Sequence, residues 1–244
     1  MIEIRRLASQ EDFASAVKLQ QRIWGFAEID LLPVRLFVVA SKIGGHSFGA
    51  FDDGRMVGFC LAIPGLKAGG QTYLHSHMLG ILPDYRDKGL GRKLKLAQRE
   101  DAIARGVALM EWTFDPLELK NAYFNIERLG AIVRRYVFNQ YGITTSHLHG
   151  GLPTDRCIAE WWLSDPRVDA VLAGRPAPHG DVRKRIAIPN NIGKLRRDDP
   201  AAARAIQKRV GEEFTDGFRE GLAAVGLERG EEASTYLLAP WPLK

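Results

Sequence analysis

Hydrophobic and polar positions along the 244-residue chain change period repeatedly, and each change marks an element. Residues 2–5 alternate as a first strand. Residues 11–24 and 33–42 carry apolar positions at helical spacing, the second opening on Pro33 at a permitted first-turn position. Two apolar strand runs, 46–51 and 56–63, flank Asp52, Asp53, Gly54 and Arg55, where Asp-Gly is a strong hairpin signal. Residues 71–82 read as a long strand closed by Pro83, residues 92–105 as a helix rich in good helix formers, and residues 107–114 as a buried strand ended by Asp115 and Pro116. A helix over 117–129 runs to Gly130, and strands follow at 131–139 and 157–163. The last third has its own order: a Pro- and Gly-rich linker at 164–180, a short strand at 185–189, a long helix and a final strand at 235–239. The helix starts at Asp198, Asp199 and Pro200 and repeats Ile206, Val210, Phe214, Phe218 and Leu222 every four residues, an apolar stripe that must bury. Gly211, Gly217 and Gly221 weaken it, with a break expected near Thr215.

Candidate chemistry concentrates in YRDKGLGRKL, residues 85–94, which sets Arg86, Gly89 and Gly91 in the spacing R-x-x-G-x-G between a strand and a helix. Glycines there let backbone N–H groups approach a ligand, and the positive end of the helix dipole suits a phosphate. Asp87, Leu90 and the cations Lys88, Arg92 and Lys93 complete this candidate pyrophosphate cradle; a tight turn is the plainer use of the same spacing.

The order of elements over residues 1–163, together with this motif, resembles the GNAT N-acetyltransferase superfamily, and more narrowly a little-characterised bacterial branch sharing HSHMLGILPDYRDKGLG and TFDPLELKNAYFNIERLGA. The resemblance implies an α/β fold with a mixed central sheet flanked by helices, an acyltransferase domain over 1–163, and an extension over 164–244 docked on that core or on a partner subunit. It further implies acetyl-CoA or another acyl-CoA, succinyl-CoA included, as co-substrate. The backbone of Leu79, Gly80 and Ile81 would hold the acyl-pantetheine, and Asn121 its arm. The implied reaction is direct attack of a primary amine, of a small molecule or amino acid, on the thioester.

Such a transfer needs a base for the amine and an acid for the thiolate. Alternation puts Tyr73, His75, His77, Leu79 and Ile81 on one face of the long strand, so His75, and after it His77, are the candidate bases. The superfamily's tyrosine four residues before the terminal glycine is replaced by Ile126, which leaves Tyr123 as candidate acid and Tyr141 as a second. Asp115, a substrate contact or a helix cap, and Trp162, a cleft wall, are candidate acceptor residues. Arg183 and Arg185 could hold a carboxylate. A zinc site from His75 and His77 with His46, His147 or His149 lacks a local third ligand, so no metal is expected.

Composition narrows the rest. At 45% hydrophobic and 26% charged the chain can bury a substantial core. Apolar runs such as 36–40 fall far short of the roughly 20 residues of a membrane span, and residues 1–6 lack the apolar segment of a secretory leader, so a cytoplasmic enzyme without membrane contact is expected. Cys60 and Cys157 form no CxxC pair. The net charge of +5 invites nucleic acid, yet the basic stretch 183–209 lacks interleaved aromatics and reads as a solvated face. Two rival readings remain: an acyl-CoA-binding module without catalysis, and an interaction domain built on the basic tail. A homodimer would also bury the tail's apolar stripe.

Overall fold

A computed structural model describes residues 1–142 and 152–242, which form two compact units, Met1–Trp112 and Thr113–Lys244. Unit 1 runs β1 (Ile2–Arg6), α1 (Gln10–Trp24), a 3-10 turn (Glu28–Asp30), α2 (Val34–Lys42), β2 (His46–Asp52), β3 (Arg55–Leu66), β4 (Thr72–Ile81), a second 3-10 turn (Pro83–Tyr85), α3 (Leu90–Ala104) and β5 (Leu109–Phe114), which crosses into unit 2. Strands β1 to β4 pair antiparallel in chain order, and β4 pairs parallel with β5. The predicted hairpin closes through Asp53 and Gly54, both at positive φ. Helix α1 starts on a capping box, with Ser9 accepting from Asp12 N–H and Asp12 reaching back.

The sheet of unit 1 has helices on both faces. Phe59 packs on Trp24 and Phe37, at ring distances of 5.9 and 6.1 Å, so its face belongs to α1 and α2. Its neighbour Cys60 points the other way, its Sγ 3.9 Å from the Leu94 carbonyl of α3. Paired strand residues share a face, which lets every side chain of β4 be assigned to one helix layer or the other.

Unit 2 contains α4 (Leu119–Tyr123), a π-helical turn (Phe124–Arg128), β6 (Ile132–Val137), β7 (Arg156–Trp162), α5 (Pro166–Leu172), β8 (Lys184–Pro189), α6 (Ile192–Asp198), α7 (Pro200–Arg219), β9 (Leu222–Arg229) and β10 (Ala233–Pro240). Its strands order β7-β6-β9-β10-β8, all antiparallel. The units part inside β5, whereas the sequence pattern changes after Leu163; β9 pairs with β6 through Val133↔Ala224, so the tail shares unit 2 with the strands before it.

Four expectations for the tail are corrected. Helix α7 does not break at Thr215, because its glycines serve packing: a Cβ on Gly211 would meet the Phe138 ring at 2.7 Å, and one on Gly217 would meet Leu238 at 2.6 Å. Leu222 leaves the stripe and opens β9, which an Ala- and Leu-rich run had merged with the helix. The linker contains α5, capped by Asp165. Within the supposedly solvated basic stretch, Arg196 is only 6% exposed and pairs with Asp115 and Glu118 at 2.7 and 2.8 Å.

A buried ionisable cluster ties α3 to β2. His46 is fully buried, its Nδ1 2.6 Å from an Asp101 oxygen, and Arg6 and Arg105 reach the same carboxylate. Burial pushes the imidazole from 6.5 down to about 4 against the pull of Asp101. Because the folded value lies below the unfolded one, this contribution to stability is complete above pH 6.5 and is lost as pH falls toward 4. Urea unfolding should therefore show a loss of about 2 to 3 kcal/mol between pH 7 and 4.5 from this residue, and His46→Gln should remove that share of the slope. An unchanged slope in the variant would refute the assignment.

Candidate functional site

The cradle motif forms a loop whose conformation depends on its glycine. After the turn at Pro83–Tyr85, Arg86 Nε donates to the Ile81 carbonyl at 3.2 Å, Asp87 takes φ 62° and Gly89 takes φ 75°. Gly89 is the N-cap of α3 and offers no side chain to the first-turn N–H groups, while Lys93 N–H already bonds Gly89. Arg86 and Lys88 are exposed and Arg92 is half-buried beside this helix start. Tyr85 anchors the loop from behind by donating to Asp52 at 2.8 Å.

Upstream, β4 carries a bulge at His77. Leu61 pairs with Met78 and Ala62 with Ser76, so His77 has no partner on β3 and the alternation changes phase there. Ser76 donates to Gln98 of α3, whereas a Cβ on Gly80 would meet Trp24 and Ile23 of α1. The one-face reading is corrected accordingly: His75, paired with Ile63, faces the α1 and α2 layer, while Leu79, paired with Cys60, and Ile81 face α3. No glycine marks the bulge, so no local residue pattern announces it.

The same strand leaves β5 early. Parallel pairing covers Leu74↔Met110 and His75↔Glu111, and within unit 1 the outer edge of residues 76–81 has no strand partner. Leu79, Gly80 and Ile81 therefore keep one backbone edge without a strand partner in unit 1 while β3 holds the other. The turn at Pro83–Tyr85 and the loop to the Gly89 helix start follow this edge directly in the chain.

Four side chains gather where β4 and β5 part. The rings of His75 and His77 lie 5.9 Å apart. Glu111, missed in the sequence, stands beside His75 by register, is 3% exposed and lies 2.5 Å from Lys67 Nζ. Burial, then the neighbouring His77, lowers the His75 pKa from 6.5 to about 4, and Glu111 pulls the other way; burial also lowers His77. A lone acid inside an apolar strand run was the available signal for Glu111. On the opposite face Lys95, 2% exposed, donates to Ser76 Oγ at 2.8 Å and sits 3.4 Å over the Trp112 ring, its pKa pushed down to about 7 by burial.

The remaining candidates lie in unit 2. Tyr123 ends α4 with the Arg229 guanidinium 3.6 Å over its ring, and Asn121 accepts from Asn125 at 3.4 Å. Ile126 is fully buried at the place of the superfamily's tyrosine. Asp115 accepts from Leu117 N–H as well as pairing with Arg196. Trp162 packs with Trp241 on a cluster of Ile132, Ala223, Val225 and Ala239. Tyr141 and Thr113 share a hydrogen bond at 2.8 Å. Arg183 and Arg185 pair with Asp181 and Glu228.

Both cysteines are buried, and burial pushes Cys60 up to about 12 and raises Cys157. Among the described residues no three His, Cys, Asp or Glu side chains cluster to hold a metal, and His147 and His149 lie outside the described residues. No helix among them is long and apolar enough to cross a membrane.

A profile of the Acetyltransferase (GNAT) family matches residues 8–130. No curated protein matches the chain significantly. Among solved structures, the chain is similar to the ribosomal-protein-S18-alanine N-acetyltransferase from Escherichia coli, with TM-score 0.52 and 21% identity over 68% of this chain and 96% of that one. It is similar to yncA from Salmonella typhimurium with its cofactor acetyl-CoA, with TM-score 0.54 and 16% identity over 68% and 95%. It is also similar to Arabidopsis thaliana NAA60 in complex with a bisubstrate analogue, with TM-score 0.53 and 16% identity over 66% and 98%. At these identities the likeness is one of fold.

Proposed function

Since the chain belongs to the acetyltransferase (GNAT) family, we propose that it transfers the acyl group of acetyl-CoA or succinyl-CoA to a primary amine of a small molecule, amino acids included, by direct attack. Acyl-CoA N-acyltransferase activity follows from the family; the acceptor class is our reading. The observation that carries it is the freed edge of β4, running from the two histidines to a helix start capped by glycine.

The residues present fit the co-substrate. Backbone N–H groups at the start of α3, with Arg86, Lys88 and Arg92, would hold its pyrophosphate, and the edge of Leu79 to Ile81 would hold the pantetheine arm. Acyl-CoA supplies the activated thioester. Burial keeps His75 unprotonated at neutral pH, free to take the amine's proton directly or through water, and His77, its ring 5.9 Å away, is the second candidate. Cys60 and Cys157 keep their protons, which favours direct transfer over an acyl-cysteine. A thiolate with a pKa of about 8 to 9, as for free cysteine, can depart without a dedicated acid; Tyr123 is the candidate if one acts.

Release of CoA thiol from acetyl-CoA on adding butylamine, putrescine, tyramine or free amino acids tests the reading. Turnover with at least one of them, and none with the matching alcohols, is expected. Turnover confined to peptide N-termini would overturn the small-molecule acceptor.

A further inference from the structure

Glu111 is a carboxylate almost shut off from water, and a buried charge persists only with a partner. Its partner Lys67 follows the last residue of β3 in the connection to β4, where Lys67 N–H bonds Gln71 and Gly70 N–H bonds Lys67. Lys67 is 25% exposed, so its ammonium reaches the carboxylate from the solvent side on a long single-point arm. The same Nζ lies 5.6 Å from the centre of the Tyr73 ring. Asp101 and Asp12 are held differently: Asp101 meets His46, Arg6 and Arg105, and Asp12 takes two bonds from Arg5. Those two carboxylates meet guanidinium or imidazole groups, whereas Glu111 meets a primary ammonium beside the candidate base.

A protonated amine acceptor carries that same group. Building on the acyltransferase reading above, we propose that Glu111 and Tyr73 form the subsite for the acceptor's primary ammonium next to His75, and that Lys67 fills this subsite until the acceptor displaces it. The subsite selects primary aliphatic ammonium ions: a carboxylate recognises the charge, an aromatic face favours a cation, and His75 receives the proton that must leave before attack.

The kinetics of three variants separate this from a structural ion pair, with the acceptor that turns over fastest among butylamine, putrescine, tyramine and the free amino acids as probe. Glu111→Gln should raise the amine KM at least about 10-fold and leave the acetyl-CoA KM within about twofold. Lys67→Met should lower the amine KM several-fold, because a competitor for the carboxylate is gone. Lys67→Arg, which grips a carboxylate with two bonds, should raise it. A structural pair requires Glu111→Gln and Lys67→Met to act in the same direction, so a raised or unchanged amine KM in Lys67→Met overturns the proposal, whether or not Glu111→Gln folds. Absence of turnover with all of these amines and amino acids in the wild-type protein would instead overturn the acceptor reading on which the subsite rests.

Discussion

His75→Ala lowers kcat for amine acylation by about 10²- to 10⁴-fold, the span a positioned general base contributes, while acetyl-CoA affinity stays within about twofold. The split follows from the geometry of β4. His75 faces the α1 and α2 layer ahead of the bulge, whereas the backbone expected to bind the co-substrate lies beyond it. His75→Gln is the informative companion: it keeps a hydrogen-bonding side chain of similar reach and loses basicity. An equal loss in both variants assigns proton transfer to the imidazole. Retention of activity in Gln, or an effect on acetyl-CoA affinity as large as that on kcat, would assign His75 a packing role and pass the base to His77.

Arg86→Glu combined with Gly89→Val weakens acetyl-CoA binding at least about 100-fold, or roughly 3 kcal/mol. Two independent terms add. Gly89 sits at φ 75°, a conformation that costs an L-residue about 1 to 2 kcal/mol and more for a β-branched one. The charge reversal removes a charge-assisted hydrogen bond of about 1.5 to 3 kcal/mol and sets a like charge against the pyrophosphate. A Cβ on Gly89 meets nothing within 4 Å, so the glycine variant reports on backbone conformation and not on crowding. Gly54→Val is the control: it has φ 79°, equally open surroundings and a place in the β2–β3 hairpin. It should strain the fold similarly and leave acetyl-CoA affinity unchanged. Calorimetric titration of the variants reads both effects.

How far the sequence disclosed this molecule depended on whether a feature has a local chemical signal. Asp53 and Gly54 made the hairpin legible, Pro83 the end of β4, and Gly89 the start of α3, because each is a residue type that the backbone favours there. The bulge at His77 had no such signal, so period-two reasoning carried Leu79 and Ile81 onto the wrong face. Glu111 was invisible for another reason: its meaning comes from register with His75, a relation between strands 36 residues apart that no local pattern encodes. In the tail, Gly211 and Gly217 looked like helix breakers, yet they are contact points where rings and Leu238 fill the missing side-chain volume. Propensity argued one way and packing decided the other.

The central claim is acyl transfer from acyl-CoA to a small primary amine, and its most direct measurement is the rate of CoA thiol release with butylamine, putrescine, tyramine and free amino acids, run beside short peptides with free N-termini. The account predicts saturable turnover with a small amine that exceeds the best peptide by at least about tenfold in kcat/KM and disappears in His75→Ala. Turnover with peptides alone, or none with either class above the enzyme-free rate, would contradict it.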